Sequence, residues 1–183
     1  MNKTMIIGGS VRKTGTCSNI SRLFEKELKD KSSLFLLSER RVGFCSACLL
    51  CDKHRNKNCP VKDDFQTFIK DVEKCKNIIF ISPIYGGDIT GTMKNFIDRT
   101  NHYCNFNKWK GKKIFLILTG CLSASENQKP IKRIKEFFKE YANITCCKFE
   151  HLGYYTVHPD TGNIFKDYPK VEKDIKKYCK KLI

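Results

Sequence analysis

The clearest strand in the sequence is Asn77-Ile-Ile-Phe-Ile-Ser82, which runs into the loop Pro83-Ile-Tyr-Gly-Gly-Asp-Ile-Thr-Gly91. A continuous apolar run of this length, ended by proline and glycine, predicts a strand that is buried on both faces of a parallel sheet. An aromatic residue and paired glycines just beyond the carboxyl end of a central strand offer a surface on which a flat ring could lie. We therefore predict a central strand at 77–82 and a ring-binding loop after it.

Four further strands are predicted at Thr4–Ile7, Ser33–Leu37, Lys113–Leu118 and within Thr145–Val157. Apolar residues recur at helical spacing between them, which predicts helices after the loop 9–19, from Asp63, over Thr92–Thr100, over Ile131–Tyr141 and in the terminal segment 171–182. Strands that alternate with helices indicate a parallel sheet covered on both faces. With right-handed crossovers, the predicted fold class is α/β: a flavodoxin-like, doubly wound, five-stranded parallel sheet of order 2-1-3-4-5. We expect a single domain over residues 1–183, with the cysteine-rich segment 44–60 inserted after the second strand.

The loop after the first strand is Gly9-Ser-Val-Arg-Lys-Thr-Gly-Thr-Cys-Ser-Asn19, and Ser18 or Asn19 is a natural N-cap for the helix that follows. The backbone N–H groups of such a loop and the dipole of the helix attract a phosphate. Arg12 could form a bidentate hydrogen bond with that phosphate, and the hydroxyl groups of Ser10, Thr16 and Ser18 could donate to it as well. The loop is neither a Walker A sequence nor G-x-G-x-x-G, so a dinucleotide fingerprint is unsupported.

Four cysteines lie close together in Cys45-Ser-Ala-Cys48-Leu-Leu-Cys51 and, after a short basic loop, Cys59. The spacing keeps three thiols on one side of a compact turn, and the loop lets the fourth return. Four converging thiolates suit a [4Fe–4S] cluster or a tetrahedral zinc ion. Three hypotheses stay open: an iron–sulfur cluster, a zinc site or bare redox-active thiols, and four ordinary cysteines. Zinc sites usually show two separated C-x-x-C pairs, so the triple run favours the cluster.

The composition of the chain indicates which class of protein it belongs to. The 183 residues are 40% apolar and 11% aromatic, as in a globular domain with a sizeable core. No apolar run is long enough to span a membrane, and the first residues lack the apolar core of a secretion signal, so we expect a cytoplasmic protein without membrane contact. The eleven cysteines are accordingly expected to be thiols and ligands and not disulfides.

The net charge of +16 attracts acidic partners. The lysines are spread over the predicted helices at solvated positions and do not form one patch with interleaved aromatic residues. We therefore expect no specific nucleic-acid binding. An acidic electron carrier such as ferredoxin, or a phosphorylated cofactor, suits the charge better.

The segment Asn101–Gly111 is irregular and aromatic, with His102, Tyr103, Phe106 and Trp109. A lid, a partner surface and core packing would each suit it. We favour a surface that another chain covers.

Three motifs together resemble the NADPH-dependent FMN reductase superfamily, and its iron–sulfur flavoprotein branch in particular. The first is Gly9-Ser-Val-Arg12 with Ser18-Asn19. The second is the cysteine run with Lys62-Asp63-Asp64 after it. The third is Ser82-Pro-Ile-Tyr-Gly86 through Met93-Lys-Asn-Phe-Ile-Asp98-Arg99. The resemblance covers residues 3–122 and is specific, because the three motifs occur in the same order as in the family.

The resemblance implies that FMN binds without a covalent link. It implies that the phosphate contacts Ser10, Arg12, Thr16, Ser18 and Asn19. It implies that the isoalloxazine lies against Pro83, Ile84, Tyr85, Gly86 and Gly87, with Thr119 and Gly120 on a third side. It further implies a [4Fe–4S] cluster on Cys45, Cys48, Cys51 and Cys59, and a homodimer or homotetramer. In two respects the chain departs from the family: Val11 replaces the usual proline, and the last cysteine gap is at the long end of the branch's spacing.

The predicted function is that of an FMN-dependent oxidoreductase that passes electrons between a one-electron donor such as ferredoxin, or NAD(P)H, and a small acceptor. The flavin would carry the redox chemistry while the protein sets position and electrostatics, so no side chain need act as acid, base or nucleophile. One alternative is a cluster-free NAD(P)H-dependent FMN or quinone reductase. A second alternative is a non-enzymatic flavodoxin-like electron shuttle that contains a structural zinc ion.

Overall fold

Five parallel strands form one sheet in the order β2-β1-β3-β4-β5. The computed structural model describes residues 3–53, 59–100, 108–158 and 164–182. The strands are β1 Lys3–Gly8, β2 Ser32–Leu36, β3 Cys75–Pro83, β4 Lys113–Gly120 and β5 Lys148–Thr156. The predicted fold class and strand order are confirmed. The chain order reverses between β1 and β3, which is the place where open α/β sheets bind their ligands.

Helices cover both faces of the sheet. They are α1 Thr16–Leu28, α2 Leu50–Lys53, α3 Phe65–Val72, α4 Gly91–Asp98, α5 Gln128–Ile144, α6 Ile164–Asp167 and α7 Pro169–Leu182, with a 3₁₀ turn at Lys29–Lys31. Buried residues of α1 and α7 share one core, and those of α3, α4 and α5 share the other. The cysteine-rich segment lies between β2 and α3, as expected from the sequence.

The central strand β3 shows why the sheet is buried on both sides. Ile78 and Phe80 pack into the core under α3–α5, whereas Ile79 and Ile81 pack into the core under α1 and α7. All four side chains are fully buried. Because alternate residues of a strand point to opposite faces, an unbroken apolar run is what a strand between two helical layers requires.

The observed first residues of two helices bear on the predicted N-caps: one prediction is wrong and one is confirmed. The sequence predicts Ser18 or Asn19 as the N-cap of α1, but the helix begins at Thr16 and its N-cap is Gly15. Ser18 and Asn19 therefore lie inside the first turn. For α4, the sequence predicts either Asp88 or Thr90 as the N-cap, and the structure has Thr90, which accepts a hydrogen bond from the backbone N–H of Met93 at 3.1 Å.

Trp109 corrects the prediction for the aromatic segment that contains it. The indole is fully buried within this chain, edge-on to the rings of Phe68 and Tyr141. It is therefore part of the core and is not available as a surface for another chain. His102, Tyr103 and Phe106 lie outside the described residues.

Within the described residues, no helix combines the length and the apolar character that a membrane span needs.

Candidate functional site

The loops after β1, β3 and β4 meet at the carboxyl edge of the sheet and enclose a cleft of about 110 Å³. Most of the residues predicted to bind the cofactor line this cleft: Ser10, Arg12, Thr16, Pro83, Ile84, Tyr85, Thr119 and Gly120. Gly15, Cys17, Cys121 and Val157 line it as well. Ser18 and Asn19, in the first turn of α1, and Gly86 and Gly87, in the loop after β3, do not line it. The cleft is large enough for a phosphate-sized group and opens onto the rim of the sheet.

The amino end of α1 opens into the cleft without a side-chain cap. The N-cap Gly15 makes no capping side-chain hydrogen bond, so the first backbone N–H groups of the helix face the cleft beside Thr16 and Cys17. Exposed Arg12 adds a full positive charge at the same place. Free N–H groups, a helix dipole and a guanidinium together make an anion-binding site.

Hydrogen bonds within the first loop fix its shape. The Ser10 hydroxyl accepts a hydrogen bond from the Arg12 N–H at 3.1 Å, and the Ser18 hydroxyl donates to the Arg12 carbonyl at 2.8 Å. Ser18 is buried and its hydroxyl proton is donated within the loop, so in this structure the residue braces the loop and does not line the cleft. The Asn19 amide donates to the Thr14 carbonyl at 3.4 Å. Ser18 and Asn19 support the loop from behind.

The first loop is tied to α4 through Gly9. The Thr90 hydroxyl donates to the Gly9 carbonyl at 2.6 Å, while the Gly9 N–H donates to the Ile81 carbonyl at 2.8 Å. A Cβ atom at position 9 would come within 2.5 Å of the Met93 methyl carbon and 3.2 Å of the Met93 Cβ atom, so glycine lets the backbone pass this close to α4 without moving Met93. The loop after β1 is therefore held rigidly against the start of α4.

The loop after β3 is a tight two-residue turn. Tyr85 and Asp88 exchange backbone hydrogen bonds at 2.8 and 3.0 Å around Gly86 and Gly87. Both glycines have positive φ, 57° and 80°, as in a type I′ turn. The Tyr85 ring, 44% exposed, stands at the edge of the cleft. From α5, Arg133 donates to the Gly87 carbonyl at 2.6 Å and anchors the turn.

The end of β4 closes the third side. The Thr119 carbonyl accepts a hydrogen bond from the Ile84 N–H at 2.8 Å, which joins the second and third loops. The Thr119 hydroxyl lies 3.1 Å from the sulfur of Cys17, which joins the third loop to α1. Burial raises the pKa of the Cys17 thiol to about 12, although the Thr119 hydrogen bond and the charge of Arg12 act in the other direction. Cys17 is therefore a neutral thiol that packs beneath the cleft.

The four predicted metal ligands line a second pocket, next to α4 and α5. This pocket has a volume of about 480 Å³ and is lined by Cys45, Cys48, Cys51 and Cys59 together with apolar residues of α4 and α5. Cys45 and Cys48 are exposed, and Cys51 and Cys59 are half-buried. None of the ten cysteines of the described residues is joined to another in a disulfide. A set of soft thiol donors around one pocket of this volume fits an iron–sulfur cluster in chemistry and in room.

The same thiols are not arranged as metal ligands. Among the described residues, no three cysteine, histidine or carboxylate side chains come close enough to hold a metal ion. Ala47 and Leu49 have positive φ, 49° and 58°, which is uncommon for residues with a side chain. Ligation would require a rearrangement of this stretch, as expected where metal binding and folding are coupled.

A buried ion pair anchors the ends of the cysteine segment. The Asp63 carboxylate accepts hydrogen bonds from the Gly43 N–H at 2.7 Å and the Phe65 N–H at 3.1 Å, and it pairs with Arg99. Burial alone would raise the pKa of Asp63, but the Arg99 guanidinium and these N–H groups outweigh burial and hold the pKa below its ordinary value. The carboxylate is therefore charged, and it fixes residue 43 next to residue 63.

Sequence reasoning missed three residues at these sites. Cys17 sits within the first loop, but nothing in its sequence context distinguishes it from an ordinary core cysteine. Arg133 is one of many basic residues on α5, so its contact with Gly87 has no sequence signal. Arg99 had a signal: it is a cation two residues after the apolar positions Phe96 and Ile97 of α4, at the end of the motif Met93–Arg99.

Comparison with known proteins gives a family and several relatives. The family model for NADPH-dependent FMN reductases matches residues 2–141. An iron-sulfur flavoprotein of Clostridioides difficile is 28% identical over 184 positions, which cover 97% of this chain and 76% of that protein. An iron-sulfur flavoprotein of Archaeoglobus fulgidus is 31% identical over 113 residues, which cover 60% of this chain and 50% of that protein.

Solved structures share the fold. An FMN-dependent NADH-azoreductase from Bacillus anthracis, crystallised with FMN, superimposes with a TM-score of 0.67 at 10% identity, covering 99% of each chain. General stress protein 14 of Treponema denticola, also crystallised with FMN, gives a TM-score of 0.65 at 14% identity, covering 98% of this chain and 97% of that one. At these identities the likeness establishes the architecture alone.

Proposed function

The chain belongs to the NADPH-dependent FMN reductase family, whose model covers residues 2–141, and we propose that it is an FMN-dependent oxidoreductase of the iron–sulfur flavoprotein kind. The family makes it an oxidoreductase. The proposal extends this to the cofactor sites on this chain, to a [4Fe–4S] cluster and to the electron partners.

One observation carries the flavin part of the proposal: the uncapped amino end of α1 opens into the cleft beside Arg12. The phosphate of FMN would act as the missing cap, accepting hydrogen bonds from the first N–H groups of the helix and from Thr16. Arg12 would add a charge-assisted fork. Ser10 would shape the loop and Ser18 and Asn19 would brace it, which revises the sequence-based roles of these three residues.

The isoalloxazine ring would lie on the rim beyond the phosphate. Pro83, Ile84 and the exposed Tyr85 ring offer one apolar surface, and Gly86 and Gly87 allow the ring to approach the backbone closely. Thr119 and Gly120 would bound the third side. When bound, the flavin supplies the redox chemistry and can accept electrons in pairs or singly. The chain's own residues bind it, orient it and keep one face packed against the loop after β3.

The cysteine pocket supports the second part of the proposal. Cys45, Cys48, Cys51 and Cys59 would ligate a [4Fe–4S] cluster, since the donor set and the volume of the pocket both suit one. Such a cluster would deliver electrons singly. The net charge of +16 favours an acidic one-electron carrier such as a ferredoxin as donor, with NAD(P)H as the alternative donor and a small molecule as acceptor. A homodimer or homotetramer is also proposed, and light scattering of the purified protein tests it.

Anaerobic reconstitution with FMN, iron and sulfide tests the proposal. We expect flavin absorbance bands plus broad iron–sulfur absorption, and four iron atoms per chain, which is the content of one [4Fe–4S] cluster. Cys59→Ser should lose most of the iron, whereas the control Cys146→Ser, which changes an exposed thiol elsewhere, should retain it. Flavin without iron in the wild-type protein would contradict the proposed cluster. Absence of flavin would contradict the proposed FMN site, on which the rest of the proposal depends.

A second candidate is the cluster-free NAD(P)H-dependent FMN or quinone reductase. It is favoured by the lack of a converged metal-binding group among the described residues. Steady oxidation of NAD(P)H by iron-free, FMN-loaded protein would support this candidate, and inertness to NAD(P)H with rapid reduction by ferredoxin would exclude it. The non-enzymatic shuttle with a structural zinc ion fits less well, because the family consists of reductases. Metal analysis that gives one zinc and no iron per chain would support a zinc site in place of the cluster.

A further inference from the structure

We propose that Arg99 is a positioning residue of the cysteine site, which joins the two ends of the cysteine segment and donates a hydrogen bond to the sulfur of Cys59. The inference rests on the cluster proposed above and adds to it a residue outside the four thiols. It predicts that Arg99 controls both how well the cluster is retained and the potential at which it is reduced.

The guanidinium of Arg99 reaches both ends of the segment. One terminal nitrogen donates to the Gly43 carbonyl at 3.2 Å and to the Asp63 carboxylate. The other donates to the Val61 carbonyl at 3.4 Å and to the Cys59 sulfur at 3.3 Å. Residue 43 precedes the first cysteine and residue 59 is the last, so a single side chain spans the base of the loop that contains all four thiols.

Because the Arg99–Asp63 ion pair is buried, loss of these contacts would be costly in free energy. The Arg99 side chain is fully buried and the Asp63 side chain is 11% exposed. The guanidinium also lies over the Phe65 ring, 4.5 Å from its centre. A buried charge is costly unless it is paired and hydrogen-bonded, and Arg99 meets that condition only while both ends of the cysteine segment are in place.

One N–H group of the Arg99 guanidinium donates no hydrogen bond within the described residues. A guanidinium has five N–H groups, and its Nε is buried with no hydrogen-bond partner among the described residues. The arginine therefore has four donors engaged, one of them with a cysteine sulfur, and one that is not used within the described residues.

Donation to a ligand sulfur has two separable effects. By orienting Cys59, Arg99 reduces the rearrangement that ligation needs, and loss of such an outer partner typically costs 10–100-fold in metal affinity. By stabilising negative charge on the sulfur, it favours the reduced cluster and raises the reduction potential. A residue that only braced the loop would produce the first effect without the second.

Two variants and a matched control distinguish these roles. Arg99→Lys keeps a positive charge beside Asp63 but cannot reach all of these acceptors at once. Arg99→Met removes the charge and every hydrogen bond. The control Asn95→Ala removes another anchor from α4, since the Asn95 amide donates to the carbonyls of Val42 and Gly43 at 3.1 and 3.2 Å and does not contact a sulfur.

The measurements are FMN content, iron and sulfide per chain after anaerobic reconstitution, and the midpoint potential of the cluster. We expect all variants to bind FMN, which shows that the sheet has folded. Both Arg99 variants should lose iron about tenfold faster to a chelator than the wild type. The cluster that remains in Arg99→Lys should have a more negative midpoint potential, and Asn95→Ala should keep the wild-type potential.

Two different failures can be told apart. A wild-type protein that binds FMN but takes up no iron overturns the proposed cluster, and the role of Arg99 falls with it. A wild-type protein that holds the cluster, together with Arg99 variants of unchanged iron retention and unchanged potential, overturns the role of Arg99 alone. Iron loss in all three variants at constant potential would reduce Arg99 to a loop brace and would likewise contradict the proposal.

Discussion

The hydroxyl of Tyr154 occupies the space directly beside Gly120: a Cβ atom at position 120 would come within 2.6 Å of the hydroxyl oxygen. The same hydroxyl accepts a hydrogen bond from the Asn127 amide at 2.7 Å and donates to the Leu122 carbonyl. The edge strand β5 thus holds the loop after β4, and it can do so only because residue 120 has no side chain.

Gly120→Ala should lower the affinity for FMN by about tenfold, because Tyr154 must move and release its two contacts in the third loop. Fluorescence quenching of FMN titrated with apoprotein measures the effect. Gly91→Ala is the matched control, since a Cβ atom there meets nothing within 4 Å. The double variant Gly120→Ala/Tyr154→Phe, which removes the clashing hydroxyl, should recover part of the lost affinity. Wild-type affinity in Gly120→Ala would contradict this account of the third loop.

Gly86 tests the turn after β3 in a different way. A Cβ atom at position 86 would meet nothing within 4 Å, so any effect of a substitution arises from its φ of 57° and not from a clash. Gly86→Ala should destabilise the protein by about 1 kcal/mol and weaken FMN binding. Gly86→Asn should do less harm, because asparagine tolerates the left-handed region. Denaturant unfolding measures both variants, and equal losses for alanine and asparagine would argue against backbone strain.

His151 gives the stability a pH dependence. The His151 ring on β5 is partly buried, its Nε2 has no hydrogen-bond partner among the described residues, and burial together with the charge of Lys135 lowers its pKa to about 4. Between pH 6.5, where an unfolded histidine titrates, and pH 4, the unfolded chain binds the proton more readily. Stability contributed by the neutral ring is therefore complete above pH 6.5 and is lost as the pH falls towards 4.

The expected loss is on the order of 1–2 kcal/mol, reduced from the full linkage value because the ring is partly exposed. Urea unfolding at pH 7 and pH 4.5 measures it. In His151→Phe, which cannot be protonated, the difference between the two pH values should shrink by that amount. An unchanged difference would mean that other groups set the pH dependence.

The fold could be predicted from the sequence because its elements carry strong local patterns. Buried parallel strands such as Asn77–Ser82 are unbroken apolar runs, and alternation with helices leaves few possible strand orders. The starts of helices were harder. The apolar spacing of α1 identifies a helix but not its first residue, and Gly15, which has no capping side chain, gave no signal for the start at Thr16.

The candidate sites were predicted unevenly for a similar reason. Sequence motifs marked the three loops, because glycines and hydroxyl residues after strands are local features. Contacts between distant elements left no local mark: Arg99 meets Cys59, and Tyr154 meets Gly120, only once the sheet has formed. Trp109 was misread because an aromatic residue in an irregular segment suits a surface and a core equally well until its neighbours are known.

The most direct test of the proposed phosphate-binding site at the amino end of α1 compares FMN with riboflavin, which has the same ring and no phosphate. Calorimetric titration of apoprotein should show FMN binding at least tenfold more tightly, about 1.4 kcal/mol. Arg12→Ala should weaken FMN binding and leave riboflavin binding unchanged, because the guanidinium would contact the phosphate alone. Equal affinity for FMN and riboflavin, or no heat from either, would contradict the claim that these three loops form an FMN site.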